Sequence, residues 1–288
     1  MTVASTPTAI LLISCPDQPG IVHNTTGLIV DHGGNIVHLD QHVDTETNVL
    51  FMRIEWTLEK FTITRNDLLK ALTPIVDRFQ MRADLEFSDT LPRTAIFVSK
   101  ESHCLYDLLS RHESGELLID ISLIVSNHTI LKPIADRFQI PFHHFPITPE
   151  NKAQQESAEI ELLQNNDIDT VVLARYMQIL GHHLIDAYPN KIINIHHSFL
   201  PAFPGARPYH SAHARGVKII GATSHYVTED LDEGPIIAQD VIHVSHRDSV
   251  KDLIRRGKDL EKIVLARALW AHSQRRVLVY DNKTIVFR

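Results

Sequence analysis

Between residues 94 and 244 the chain alternates short apolar runs with segments of helical length and amphipathic spacing, and this rhythm constrains the fold more than any other feature. The runs at 94–98, 119–126, 142–144, 170–173, 192–196, 219–227 and 236–244 predict strands. The segments 105–113, 131–138, 151–165 and 249–271 predict helices between or after them. Pro133 falls near the start of its helix, where a missing N–H is tolerated. Strands that alternate with helices build an α/β domain around a mostly parallel sheet. Ligands of such sheets bind at the carboxyl ends of the strands.

A different pattern precedes this region. Residues 8–14 form a compact apolar run that predicts a central strand, broken by Cys15-Pro-Asp-Gln-Pro-Gly20. Residues 21–32 carry Ile21, Val22, Leu28 and Ile29 at helical spacing, and Gly33-Gly34 ends that helix because glycine tolerates a left-handed backbone. Strands are expected at 36–43 and 49–56 about a turn at 44–48, then a helix over 64–79 and a strand over 81–87. The order β-α-β-β-α-β is the ferredoxin-like split unit. A polar, proline-terminated connector follows, so the expected division is a first domain at 8–87, a linker at 88–92 and a second domain at 93–288.

Composition excludes several classes. A net charge of −7 argues against nucleic acid as a general partner, because phosphate binding needs clustered Lys and Arg. Two cysteines, Cys15 and Cys104, make no disulfide framework and suit a reducing compartment. No run reaches membrane-spanning length, and residues 1–7 lack the basic start of a signal peptide. The expectation is a cytoplasmic protein with no membrane partner.

The chemistry concentrates in one stretch. The apolar run Lys191-Ile-Ile-Asn-Ile195 passes into polar His196-His-Ser198 and a loop punctuated by Pro and Gly. A second strand, Gly221-Ala-Thr-Ser-His-Tyr-Val227, leads into the turn Thr228-Glu-Asp-Leu-Asp-Glu-Gly-Pro235. If the two strands are neighbours, Asn194, His196 and Asp232 meet in one cleft. Each alone is an ordinary structural residue: a capping Asn, a core His, a turn Asp. Together, without an activated Ser or Cys, they suit attack by a non-protein nucleophile on a carbonyl. Asn194 and His196 can stabilise a tetrahedral oxyanion, and a carboxylate beside the imidazole favours its cation and can relay a proton.

Asn194-Ile-His-His-Ser-Phe-Leu-Pro-Ala-Phe-Pro-Gly205, followed by Gly221-Ala-Thr-Ser-His-Tyr-Val227 and Leu231-Asp-Glu-Gly-Pro-Ile-Ile237, resembles the folate-dependent formyltransferase family. The likeness is dense from 193 to 239 and looser from 93 to 280. It implies a Rossmann-like formyltransferase domain whose Asn, first His and Asp, at Asn194, His196 and Asp232, carry the catalysis. Ala174-Arg-Tyr-Met-Gln-Ile-Leu180 resembles the family's pterin-binding loop, with Arg175, Met177, Ile179 and Leu180 as candidate folate contacts; the other reading is the start of an amphipathic helix. Val227, Glu229 and Asp230 are candidates to close the same pocket. His197 and Ser198 are candidates for the acceptor side: on a strand His197 would face away from His196, but if the strand has ended by then it lines that side or simply packs.

Two departures narrow the family. Many of its transferases carry Pro where this chain has His197, and the glycinamide ribonucleotide transferases hold the acceptor phosphate on a Gly-rich loop after the domain's first strand. Here that loop reads Val98-Ser-Lys-Glu-Ser-His-Cys-Leu105, without glycine. Both departures resemble the deformylase branch, which implies water as acceptor. The expected reaction cleaves 10-formyltetrahydrofolate to tetrahydrofolate and formate, supplies formate for purine synthesis and balances one-carbon pools. The alternatives are formyl transfer to an amine, or a non-catalytic, amino-acid-responsive folate-binding protein.

In the first domain, Asp17-Gln-Pro-Gly-Ile-Val22 within the split unit resembles an ACT regulatory domain. That likeness implies Asp17, Gln18, Pro19, Gly20 and Ile21 as candidate contacts for a small amino-acid effector, and a homo-oligomer paired through such domains; the plainer reading is a strand-to-helix turn shaped by Pro19 and Gly20. No cofactor is expected beyond the folate substrate. Nineteen histidines, with His210 and His213 at helical spacing, bring no acidic residue that completes a zinc signature, so no metal is expected. Cys104 beside His103 is read as structural rather than as a thiol nucleophile.

Overall fold

A computed structural model describes residues 6–202 and 208–288. Two compact units result: residues up to Leu91 with Gln274–Leu278 and Ile285–Arg288, and Pro92–Ser273 with Val279–Thr284. The sequence division differs at the C-terminus, where it assigns everything after 93 to the second domain. The cause is a pair of backbone acceptors supplied by the tail, described below.

The first unit runs β1 (Thr8–Pro16), α1 (Ile21–Asp31), β2 (Asn35–Asp44), β3 (Val49–Thr57), α2 (Arg65–Phe79) and β4 (Arg82–Phe87). Its sheet has the order β2-β3-β1-β4 and is antiparallel throughout, so β1 is central as its apolar run predicts. Leu11, Ile13, Ile54 and Trp56 pack with Ile29, Leu68, Leu72 and Phe79 in one core. Gly33 has φ 79, and a Cβ there would lie 2.6 Å from the Lys60 carbonyl oxygen, so both backbone and space demand glycine.

Arg53, on β3, is 2% exposed. Its guanidinium pairs with Glu55 at 2.9 Å and donates from Nε to the Arg275 carbonyl at 2.9 Å and from Nη2 to that of Gln274 at 3.3 Å. A cation this deep is tolerated only with its donors satisfied, which ties the tail to this unit.

The second unit follows the predicted rhythm: β5 (Arg93–Val98), α3 (His103–Glu113), β6 (Asp120–Ser126), α4 (Lys132–Arg137), β7 (Phe142–His144), α5 (Lys152–Asn165), β8 (Thr170–Leu173), α6 (His182–Ala187), β9 (Ile192–His196), α7 (Pro208–Arg215), β10 (Ile219–Tyr226), β11 (Ile236–His243) and α8 (Val250–Ser273). A final hairpin, β12 (Val277–Tyr280) and β13 (Lys283–Val286), completes the chain. The seven-stranded sheet has the order β11-β10-β9-β8-β5-β6-β7. It is parallel from β7 to β9 and antiparallel at β10 and β11. Phe97, Leu123, Val125, Val171 and Ile192 form a core with Leu163 and Leu184, and α8 packs on β9, β10 and β11. Helices α6 and α7 and the last hairpin are too short to announce themselves by periodicity. No described helix is long and apolar enough to cross a membrane.

Candidate active site

Strand β9 ends at His196 and pairs with β10, so the two motif strands are neighbours. Alternation puts Asn194 and His196 on one side of the strand. Across the ladder, His225 stands directly opposite Asn194. The loop after β10 then folds back on its own strand and brings Asp232, at φ 59, over the same place.

His196 Nδ1 lies 3.2 Å from Asp232 Oδ2, and His196 Nε2 is buried with no partner among the described residues. His225 Nδ1 lies 2.9 Å from the Tyr226 carbonyl, which can only accept, so that nitrogen carries a proton. Its Nε2, 3.2 Å from Asn194 Nδ2, then accepts from the amide and fixes which way Asn194 faces. The Asn194 amide keeps a second hydrogen to donate. Hydrogen bonding with His196 above all holds the Asp232 carboxyl well below the usual carboxylate range.

These side chains stand in a cleft of about 350 Å³ lined also by Arg175, Met177, Ile179, Leu180, Val227, Glu229 and Asp230. Residues 174–180 form a loop rather than a helix start, and the following helix begins only at His182. The loop is pinned at both ends. The Met177 N–H donates to Ser99 Oγ at 2.9 Å, and the Gly181 N–H to Glu156 Oε1 at 2.7 Å. Met177 and Ile179 are exposed at the rim, whereas Leu180 is buried. The Arg175 side chain turns away from the rim, with Nη1 2.6 Å from His197 Nδ1.

His197 does not face away from His196. The strand stops at His196, alternation stops with it, and the two rings stack with centroids 5.0 Å apart at 26°. Ser198 Oγ is buried without a hydrogen-bond partner among the described residues. Phe203 and Gly205 of the first motif lie outside the described residues.

Sequence reasoning missed His225, although it stands inside the second motif; only the ladder register, which the spacing does not contain, puts it opposite Asn194. It also missed Glu261, which local spacing does not connect to the cleft. Cys104 is fully buried, and burial pushes its thiol up, away from the thiolate. His103, Cys104 and Glu261 offer ligand-type atoms within 4.8 Å of one another. Both Glu261 oxygens are already engaged there, by Tyr209 and His103.

In the first unit, Asp17 to Ile21 span the turn from β1 into α1, with Gly20 at φ 98. The Asp17 N–H donates to the Asn48 carbonyl at 2.9 Å, and Asn24 Nδ2 to the Gly20 carbonyl at 2.7 Å. Gln18, Pro19 and Gly20 are exposed and Ile21 is buried.

A catalytic-type cleft on an α/β sheet, in a chain that also carries a split β-α-β-β-α-β unit, defines a class of two-part protein, and comparison agrees. Residues 92–269 match the formyl transferase family and residues 9–76 the ACT domain family. The chain is 58% identical to the formyltetrahydrofolate deformylase of Synechocystis sp. over 97% of its length and 98% of that relative. It is 48% identical to the Bacillus subtilis protein of the same name over 96% of its length and 93% of that relative. The crystal structure of a formyltetrahydrofolate deformylase from Pseudomonas syringae pv. tomato superposes with a TM-score of 0.97 at 46% identity, covering 100% of this chain and 96% of that one. The chain belongs to the formyltetrahydrofolate deformylase family.

Proposed function

We propose that the protein hydrolyses 10-formyltetrahydrofolate to tetrahydrofolate and formate, with Asn194, His196 and Asp232 as the catalytic residues. The observation that carries the assignment is the Asp232–His196 pair, 3.2 Å apart, on the strand whose Asn194 amide is held by His225. Water adds its oxygen to the formyl carbon and gives a proton to the Asp232 carboxylate. The former carbonyl oxygen becomes an oxyanion, met by the free Asn194 N–H and by His196; donors so placed are worth roughly 3–4 kcal/mol each. Collapse breaks the bond from carbon to N10, N10 takes the proton from Asp232, and formic acid leaves as formate with loss of its remaining proton.

In the same reading the folate ring stands between Leu180 and Val227 with Met177 and Ile179 at the rim, and Glu229 and Asp230 on the closing loop. Arg175 is a further folate-side residue and His197 and Ser198 line the acceptor side, a reading that the 2.6 Å contact between Arg175 and His197 supports by making the two sides adjoin. Formate so released supplies purine synthesis in the cytoplasm, and no cofactor or metal takes part. Residues 8–87 act as the regulatory domain, with Asp17 to Ile21 as contacts for a small amino acid and pairing into a homo-oligomer; residues 88–92 are the linker and 93–288 the catalytic domain. The test is formate release from 10-formyltetrahydrofolate with no acceptor added. Release that requires an added amine makes the protein a transferase instead, and tight folate binding without turnover makes it a binding protein.

A further inference from the structure

Behind the two imidazoles of the cleft lies a buried polar chain that neither motif accounts for. Glu261, on α8, is 1% exposed. Its Oε1 accepts from the Tyr209 hydroxyl at 2.7 Å and its Oε2 from His103 Nε2 at 2.7 Å, while Arg175 Nε stands 3.5 Å away. A carboxylate at this depth costs several kcal/mol unless it is paired and hydrogen-bonded, and here it is both. Arg175 has φ 65, a left-handed conformation that a residue other than glycine keeps only where its surroundings over-determine it.

The next link fixes a proton. Arg175 Nη1 lies 2.6 Å from His197 Nδ1, and a guanidinium nitrogen can only donate. Nδ1 therefore offers its lone pair, and the single proton of the neutral ring sits on Nε2. The groups that face this ring are Arg175 from the loop after β8, His196 of β9, Tyr209 of α7, Asp232 from the loop after β10 and Glu261 of α8. Burial first, then the Arg175 and His196 charges, push the imidazole down to about 4, against the smaller opposing pull of Glu261 and Asp232.

We infer that Glu261 is a positioning residue which, through Arg175, holds His197 as the neutral Nε2–H tautomer beside His196, so that His197 offers the attacking water a donor. The inference rests on the hydrolysis proposed above. A water whose oxygen accepts from an imidazole N–H keeps both of its protons for acceptors such as Asp232. The opposite tautomer would take one of those protons and turn the oxygen away from the formyl carbon.

The first measurement needs no turnover: the ring-nitrogen NMR shifts of His197 in the intact chain, followed from about pH 5.5 to about pH 8. One protonated Nε2 and an unprotonated Nδ1 throughout is the expected result. A protonated Nδ1, or titration near the ordinary imidazole value, overturns the inference while leaving the reaction itself untouched. The second is a double-mutant cycle on formate release. Glu261→Gln should lower kcat by about tenfold or more with KM within about threefold, yet by less than about twofold in a His197→Asn background. Losses that multiply would make Glu261 independent of His197 and sink the proposal. Should Glu261→Gln not fold, Glu261→Asp, which draws the charge back from Arg175 by one methylene, takes its place in the cycle under the same two criteria.

Discussion

Gly234 approaches Tyr226 so closely that a Cβ built on it would lie 1.9 Å from the Tyr226 carbonyl oxygen. The Tyr226 N–H meanwhile donates to the Pro235 carbonyl at 2.9 Å, so the loop closes onto its own strand backbone to backbone. Asp232 lies two residues before this contact. Gly234→Ala must therefore open the loop, and it is expected to lower kcat by about tenfold or more by moving the carboxylate off His196. Steady-state formate release checks this; unchanged kcat would mean that the loop finds another way to close.

Asp232→Asn keeps the shape and removes the charge. Turnover is expected to fall by about a hundredfold or more, with folate affinity largely retained. Binding by fluorescence titration separates the two effects, and near-normal turnover would remove Asp232 from the mechanism. The same carboxyl is held below its unfolded value by His196 above all. Its stabilising contribution is therefore present above the ordinary carboxylate range and lost as pH falls through and below it. The stability gap between the protein and Asp232→Asn should shrink on acidification, which denaturant midpoints at neutral and acid pH will read.

Glu159, on α5 beneath the cleft loop, has the opposite sign. It is fully buried and accepts from the Tyr176 hydroxyl at 3.1 Å, and burial pushes its carboxyl up to about 7. The native state then holds a proton that the unfolded chain gives up at lower pH, so stability falls as pH rises from the ordinary glutamate value to about 7. Glu159→Gln should remove that slope and gain roughly 1–3 kcal/mol over the parent at alkaline pH. Unfolding midpoints on both sides of neutrality test it; an equal slope in the variant would place the titration elsewhere.

The proposed regulatory role calls for a panel of free amino acids. An effector works only through unequal affinity for two states of the enzyme. One small amino acid should change formate release from the intact protein, and Gly20→Val, which fills the turn at φ 98, should weaken that response more than basal turnover. No response to any amino acid would leave the first domain as an assembly device.

Much of this was legible in the sequence, for identifiable reasons. Strand and helix alternate in step with burial, so Phe97, Val125, Val171 and Ile192 reveal a two-sided sheet by being apolar without interruption. Asn194, His196 and Asp232 were readable as a group because two strands and one turn deliver them over a short span of chain. The orientation of His197 stays open in the sequence because it depends on whether β9 ends at His196, which alternation alone does not fix. Glu261 was invisible because it reaches Arg175 across the fold from a helix whose pattern only says that one face is buried. The paired role of His225 and Asn194 needed the ladder register, which spacing does not contain.

The buried Arg53 has a consequence for how the chain is made. Two of its acceptors, the carbonyls of Gln274 and Arg275, stand 221 and 222 residues further along the chain. The first domain can form its sheet as soon as β4 has been synthesised, with Glu55 already beside Arg53, but these two acceptors arrive only after every strand of the second sheet has been made.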